Sequence, residues 1–78
     1  MAEITFFLSN LPIGSKARVI DLNPDSPLKR RLLDLGLTRD TVVEAVQKSP
    51  AGDPIAYLVR GAVIALRSED ASDVLLSM

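Results

Sequence analysis

The sequence has 78 residues, nine Lys and Arg against ten Asp and Glu, and a formal net charge of −1. That length supports a single domain, which buries only about 60% of its extended-chain surface on folding, and 47% hydrophobic against 24% charged residues mark a folded chain. The lack of Cys and His removes disulfides, thiolate and imidazole metal ligands and the usual nucleophile–base pairs; near-neutral charge and three aromatic residues disfavour nucleic-acid binding; and no apolar run reaches the roughly 18 residues of a membrane helix.

The apolar stretch Ile4-Thr5-Phe6-Phe7-Leu8 has no basic flank and is too short for a signal peptide, so it reads as core. Asn10-Leu11-Pro12-Ile13-Gly14 carries a turn signal and leads into a first strand over Lys16 to Leu22. Val19 and Ile20 fall on opposite faces there, so alternation alone does not decide which set points inward. Asn23-Pro24-Asp25-Ser26-Pro27 stops the strand and starts a helix, with Ser26 as N-cap and Pro27 at the first helical position. Leu28, Leu32 and Leu35 share a face with Leu33 beside them, and the helix is expected to run about two and a half turns. Gly36 suits the left-handed position after it, with Leu37 folding back toward Leu32 in a Schellman cap.

Thr41 to Lys48 and Ile55 to Arg60 are rich in strand formers and read as a hairpin across the turn Ser49-Pro50-Ala51-Gly52-Asp53-Pro54. Gly61 permits a sharp reversal into a third strand of the meander, Ala62 to Arg67. Ser68 is expected to cap one helical turn, with Glu69 and Asp70 at its positive end, and Asp73-Val74-Leu75-Leu76 closes the domain as a last strand. About five short strands, one helix after the first and one helical turn before the last predict a small, partly open β-barrel spanning 1–78. An OB-like barrel has the same element count.

Leu32-Leu33-Asp34-Leu35-Gly36-Leu37, the Ser49 to Pro54 turn, Arg60-Gly61 and Ala65-Leu66-Arg67, in this order and spacing, resemble the ferrous iron transport protein A (FeoA) family from about Leu8 to Leu76. The resemblance implies the SH3-like form of barrel and, with Ser26, Pro27, Leu32, Gly36, Leu37 and Gly61 as structural motif positions, a mainly β domain. It further implies a non-enzymatic bacterial accessory protein of the cytoplasm that binds the permease FeoB, whose cytosolic part is a GTP-binding domain. This chain departs from the family at Ala51, where a larger apolar residue is usual, and at Arg39-Asp40, where Pro-Gly is common.

Candidate sites are few. Asp21, Asp25 and Asp34 flank the helix, and Glu69, Asp70 and Asp73 precede the last strand. Carboxylate oxygens are the ligands left for Fe²⁺, yet capping and helix-end roles account for several of them, so no metal or other cofactor site and no catalytic residue is assigned. Lys29, Arg30 and Arg31 sit at the helix end that repels cations. Arg30 reaches Asp34 one turn on, and the remaining charge suits an acidic partner. Pro50, Ala51, Gly52, Asp53 and Pro54 form a stiff exposed loop, which loses little entropy on binding. Arg60 and Arg67, at ends of adjacent strands, are expected to face carboxylates within the domain.

The expected function is therefore protein contact: the loop at Pro50 to Pro54 and the helix face at Lys29 to Arg31 dock on FeoB. The alternative is an SH3-like regulatory module related to the C-terminal domain of iron-dependent repressors of the diphtheria toxin repressor type. The start at Met1 and the lack of a helix-turn-helix rank it second. No nucleic-acid partner or membrane span is expected. An unpaired strand edge leaves weak self-association open.

Overall fold

Ile55, Tyr57 and Val59 are buried while Ala56 and Leu58 between them are only half-buried. This is the period-two pattern of a strand with one face on a core. In the computed structural model, which describes residues 4–78, these residues belong to β4 of a sheet with six strands among the described residues: β1 (Thr5–Phe7), β2 (Lys16–Leu22), β3 (Val42–Lys48), β4 (Ile55–Val59), β5 (Ala62–Leu66) and β6 (Val74–Ser77). A short helix, α1 (Lys29–Asp34), lies between β2 and β3, and one helical turn, α2 (Ser68–Ala71), lies between β5 and β6. The strand order is β1-β6-β2-β3-β4-β5, and every pairing is antiparallel.

Six strands replace the expected five. The apolar N-terminal stretch was expected in the core; instead it supplies β1, which pairs with β6 in the register Phe6↔Leu76. Ile4 and Phe7 stay 65% and 46% exposed, Phe6 packs against the core from its edge, and Leu8 alone of this stretch is fully buried. A three-residue strand turns alternate side chains outward, so an all-apolar run there does not become all-core. Met1 to Glu3, which the expected domain includes, lie outside the described residues.

The undecided inward face of β2 is settled by a β-bulge. Val19 pairs with Leu76 and Asp21 with Leu75, leaving Ile20 as the extra residue. The bulge reverses the alternation, so Ala17 and Val19 face the core before it and Leu22 after it. A second bulge, at Val46, falls between the pairs Ala45↔Tyr57 and Gln47↔Ala56.

Around α1 the expectation holds at one end and is corrected at the other. The Ser26 hydroxyl accepts the Leu28 N–H at 3.2 Å, and the Ser26 carbonyl accepts the Lys29 N–H at 3.2 Å. Leu28 has φ −100° and ψ 4°, outside the helical region. Pro27 and Leu28 therefore form a turn, and α1 begins only at Lys29, six residues long rather than two and a half turns. At its C-terminal end the Leu37 N–H bonds the Leu32 carbonyl at 3.1 Å and the Gly36 N–H bonds the Leu33 carbonyl at 3.0 Å, with Gly36 at φ +100°. This is the Schellman pair of bonds. Leu32 and Leu37 are buried in one cluster with Val19, Val43, Tyr57, Val59, Val74 and Leu76; Leu28 and Leu35 pack against it, and Leu33 is exposed.

A Cβ on Gly36 would stand 3.2 Å from Arg60 Cδ and 3.3 Å from Val59 Cγ1, in a backbone region L-residues rarely adopt. Gly36→Ala should cost about 1–3 kcal/mol, since strain and crowding act together. A lowered urea midpoint with unchanged slope is the expected result.

Tyr57 is fully buried, and its hydroxyl donates to the Leu8 carbonyl at 3.4 Å, tying β4 to the end of β1. Burial pushes its pKa above the usual value, and the nearby negative charge of Asp53 adds to the shift. A phenol that holds its proton more tightly folded than unfolded stabilises fully below the unfolded value of about 10. That contribution is lost as pH rises through the folded value. Stability measured from pH 8 to 11 should therefore fall above about pH 10, and Tyr57→Phe should flatten the fall.

Candidate functional site

Lys29, Arg30 and Arg31 are all exposed on α1. Arg30 Nε lies 3.8 Å from Asp34 Oδ1, with the two side chains 91% and 70% exposed, so the expected pair is present as a loose surface contact. Because the helix opens at Lys29, these three cations occupy its first turn. Arg30 has Asp34 one turn on, whereas among the described residues no carboxylate pairs with Lys29 or Arg31, and both are exposed to solvent.

The loop between β3 and β4 is built from Ser49, whose carbonyl accepts the Gly52 N–H at 2.8 Å and whose own N–H bonds the Pro54 carbonyl at 3.2 Å. Ser-Pro-Ala-Gly is a favoured turn sequence, with Pro presetting φ at the second position and Gly at the fourth. Pro50 and Ala51 form the exposed tip, whereas Gly52, Asp53 and Pro54 are half-buried.

Asp53 is turned inward to a structural task. Its Oδ1 accepts the Ser68 N–H at 2.8 Å, and its Oδ2 lies 3.8 Å from Arg67 Nη1. The expectation that Ser68 caps α2 with its own side chain is therefore corrected. Ser68 is the first helical residue, Arg67 precedes it in extended conformation without a side-chain cap bond, and the acceptor comes from a loop fifteen residues earlier. Glu69 and Asp70 do stand in the first turn as expected.

Arg67 thus faces a carboxylate, as expected. Arg60 does not: its Nη2 donates to Thr38 Oγ1 at 3.0 Å and Thr41 Oγ1 at 3.1 Å, and those two hydroxyls are 2.9 Å apart. Arg60 and Gly61 have φ of 51° and 82° and close the two-residue turn between Val59 and Ala62. Left-handed backbone at both central positions is the type I′ hairpin turn. Its outcome is that the Arg60 side chain is laid across Gly36. Asp40, at φ 71°, takes the left-handed position where glycine is common in the resembled family; a short carboxylate side chain tolerates it. Arg39 Nε bonds the Ile20 carbonyl at 3.1 Å and pins that turn to β2.

The loop joins β4 at Ile55 and is tied to α2, while Gly36, two residues past the end of α1, abuts Val59 and Arg60 at the other end of the strand. Five residues of strand separate those two ends by about 13 Å.

The carboxylates are dispersed. Asp21 Oδ1 accepts the Leu22 N–H at 2.8 Å, and Asp73 Oδ1 accepts the Asn23 side-chain amide at 3.2 Å. Among the described residues no three Asp or Glu side chains converge on a point where a metal ion would sit, and no helix is long and apolar enough to cross a membrane.

The sequence profile of the FeoA domain matches residues 7–78. The chain belongs to the FeoA domain family. A curated relative, the Fe(2+) transport protein A/Fe(2+) transporter FeoB fusion protein of Porphyromonas gingivalis, is 28% identical over 67 residues, which is 86% of this chain but only 8% of that protein. Among solved structures, a FeoA-like protein from Clostridium acetobutylicum is 37% identical, with a TM-score of 0.88 over 97% of this chain and 87% of the other. The zinc complex of Stenotrophomonas maltophilia FeoA, described as a prokaryotic SH3 domain protein, is 33% identical, with a TM-score of 0.77 over 91% and 88% of the two chains. The six-stranded antiparallel sheet with two short helices described above is thus the SH3-like fold of FeoA proteins. A manganese-dependent transcriptional repressor shares the fold at a TM-score of 0.85 but only 15% identity, over 99% of this chain and 43% of that one. That likeness is one of fold alone.

Replacing Asp53 with Ala removes the acceptor for the Ser68 N–H and the partner of Arg67, at an expected cost of about 1 kcal/mol. Asp53→Asn keeps an acceptor and should recover more than half of it. Urea unfolding of the two variants beside the parent separates the cap from the ion pair.

Proposed function

We propose that this FeoA-family chain is a non-enzymatic accessory protein of ferrous iron uptake that binds the permease FeoB on its cytoplasmic side and shifts it between states. The observation that carries the reading is the fused relative, in which a segment similar to this chain is named as one part of a polypeptide whose other part is FeoB. A covalent link keeps two interacting parts at high effective concentration. A domain with that task needs a recognition surface.

Two surfaces meet that need. The tip Pro50-Ala51 is stiffened by proline and by the Ser49 bonds, and anchored at Asp53 to α2. The cations Lys29 and Arg31 are exposed, and neither takes part in an ion pair among the described residues, so an acidic surface would find them available. A partner bound at these surfaces is shifted in state only through a difference in affinity between its states, and FeoB's nucleotide-bound forms are the natural pair to compare.

The test is binding of the chain to FeoB loaded with a GTP analogue and with GDP. Affinities differing by about fivefold or more support a state-dependent effector; equal affinities remove the nucleotide switch. Lys29→Glu with Arg31→Glu should weaken binding about tenfold while leaving the thermal midpoint within a degree or two, because both side chains are exposed. Unchanged affinity would take the helix face out of the interface.

A further inference from the structure

Val42 opens β3 and is 52% exposed. In the register of the sheet it stands opposite Arg18 of β2, and two places along Lys16 stands opposite Glu44. Directly paired residues project on one face, so these four share the outer face, and Leu58 of β4, paired with Glu44, continues it. Three open hollows meet at Val42. One runs to Lys16 and Arg18, one to Leu58 and the turn at Arg60 and Gly61, and one to Arg39, Asp40 and Arg60. The cations Lys16, Arg18, Arg39 and Arg60 line them against the carboxylates Asp40 and Glu44 alone. In a chain of formal net charge −1 this is a local excess of positive charge.

Little of that charge is neutralised. Lys16 Nζ lies 4.0 Å from Glu44 Oε1, and among the described residues Arg18, Arg39 and Arg60 form no ion pair. Two of the guanidinium groups are nevertheless fixed. Arg60 is held by the Thr38 and Thr41 hydroxyls and Arg39 by the Ile20 carbonyl. These acceptors are neutral, so each group is positioned while its charge stays uncompensated. A guanidinium carries five N–H donors in a planar fork, and the Arg39 bond uses only Nε, which leaves both terminal amino groups for a carboxylate.

The patch also chooses among anionic partners. A nucleic-acid strand carries a phosphate at every step and meets Asp40 and Glu44 as repulsions, and no aromatic ring lines the hollows to stack its bases. A protein segment spaces its carboxylates and can set an apolar side chain over Val42 between them.

We propose that the surface centred on Val42 binds an acidic segment of another protein, with an apolar side chain seated on Val42 and Leu58 and its flanking carboxylates bound by Arg18 and by the fixed guanidinium groups of Arg39 and Arg60. Because those two groups are held before the segment arrives, little side-chain entropy is lost on binding. This surface shares no residue with the loop tip and helix face proposed for FeoB, and its test uses no FeoB.

The test titrates the isotope-labelled protein with the capped hexapeptides Glu-Asp-Leu-Val-Asp-Glu, Glu-Asp-Ser-Ser-Asp-Glu and Lys-Lys-Leu-Val-Lys-Lys. Expected are amide shifts at Arg18, Val42, Arg60 and Gly61 and a shift of the Arg39 Nε–H. The apolar acidic peptide should bind at least about threefold tighter than the serine one, and the lysine one should give no saturating response. Arg18→Glu, at an exposed position, should weaken binding about fivefold, whereas Lys48→Glu, the same charge change at the far end of β3, should leave it within about twofold. Equal binding of any two of the peptides, equal losses in the two variants, or shifts absent or confined to other elements would overturn the proposal. So would the same shifts with a uridine oligonucleotide, which would assign the patch to nucleic acid, or shifts there that grow with protein concentration without peptide, which would assign it to a second copy.

Discussion

A helix of six residues does not hold itself together in water, and α1 keeps its place because Gly36 has no side chain. The left-handed glycine ends the helix with two backbone bonds and leaves room for Arg60 to lie across it. The guanidinium then reaches the hydroxyls of Thr38 and Thr41, in the middle and at the end of the link from helix to β3. Two segments distant in sequence, this link and the turn between β4 and β5, thus meet at one side chain. The same residue, at φ 51°, makes the two-residue turn that sets the register of β5 on β4. The position of the inserted helix and the alignment of the edge strand rest on one contact.

The other end of β4 is organised by Asp53. Its carboxylate takes the first free N–H of α2 and faces Arg67, so the exposed loop tip at Pro50 and Ala51 is carried on a fixed base. A four-residue helix offers almost no bonds of its own, and an acceptor from another loop makes it form where it does. The loop and the turn between β4 and β5 are thus both tied by bonds within the domain, and the proposed docking at the loop would order little on binding.

Much of this was legible in the residues. The Schellman end at Gly36 and Leu37, the turn at Ser49 to Gly52, the reversal at Gly61 and the Arg30–Asp34 contact follow from local rules about φ, donors and charge; that Arg67 faces a carboxylate was also expected, but which one, Asp53, was not. Pro27 and Leu28 carry good helix-start chemistry but form a turn closed by the Ser26 bonds. The other differences come from partners far along the chain: Ser68 looks like a cap but is capped by Asp53. Arg60 was paired in expectation with a carboxylate and found two hydroxyls, because packing against Gly36 and not Coulomb attraction aims its side chain. The N-terminal run was assigned to the core on composition, while its edge position exposes every second residue.

By itself the sequence determined the family, the mainly β barrel with one inserted helix, and the absence of thiol and imidazole chemistry, because these depend on residue identity, period and short-range turns. The tertiary structure decided which face of β2 points inward, which residue caps α2, what Arg60 touches and which strand is left at the sheet edge. Each of these is set by a bulge, a bond or a pairing between segments many residues apart. No local rule carries the register between such segments; it exists only once the core has closed.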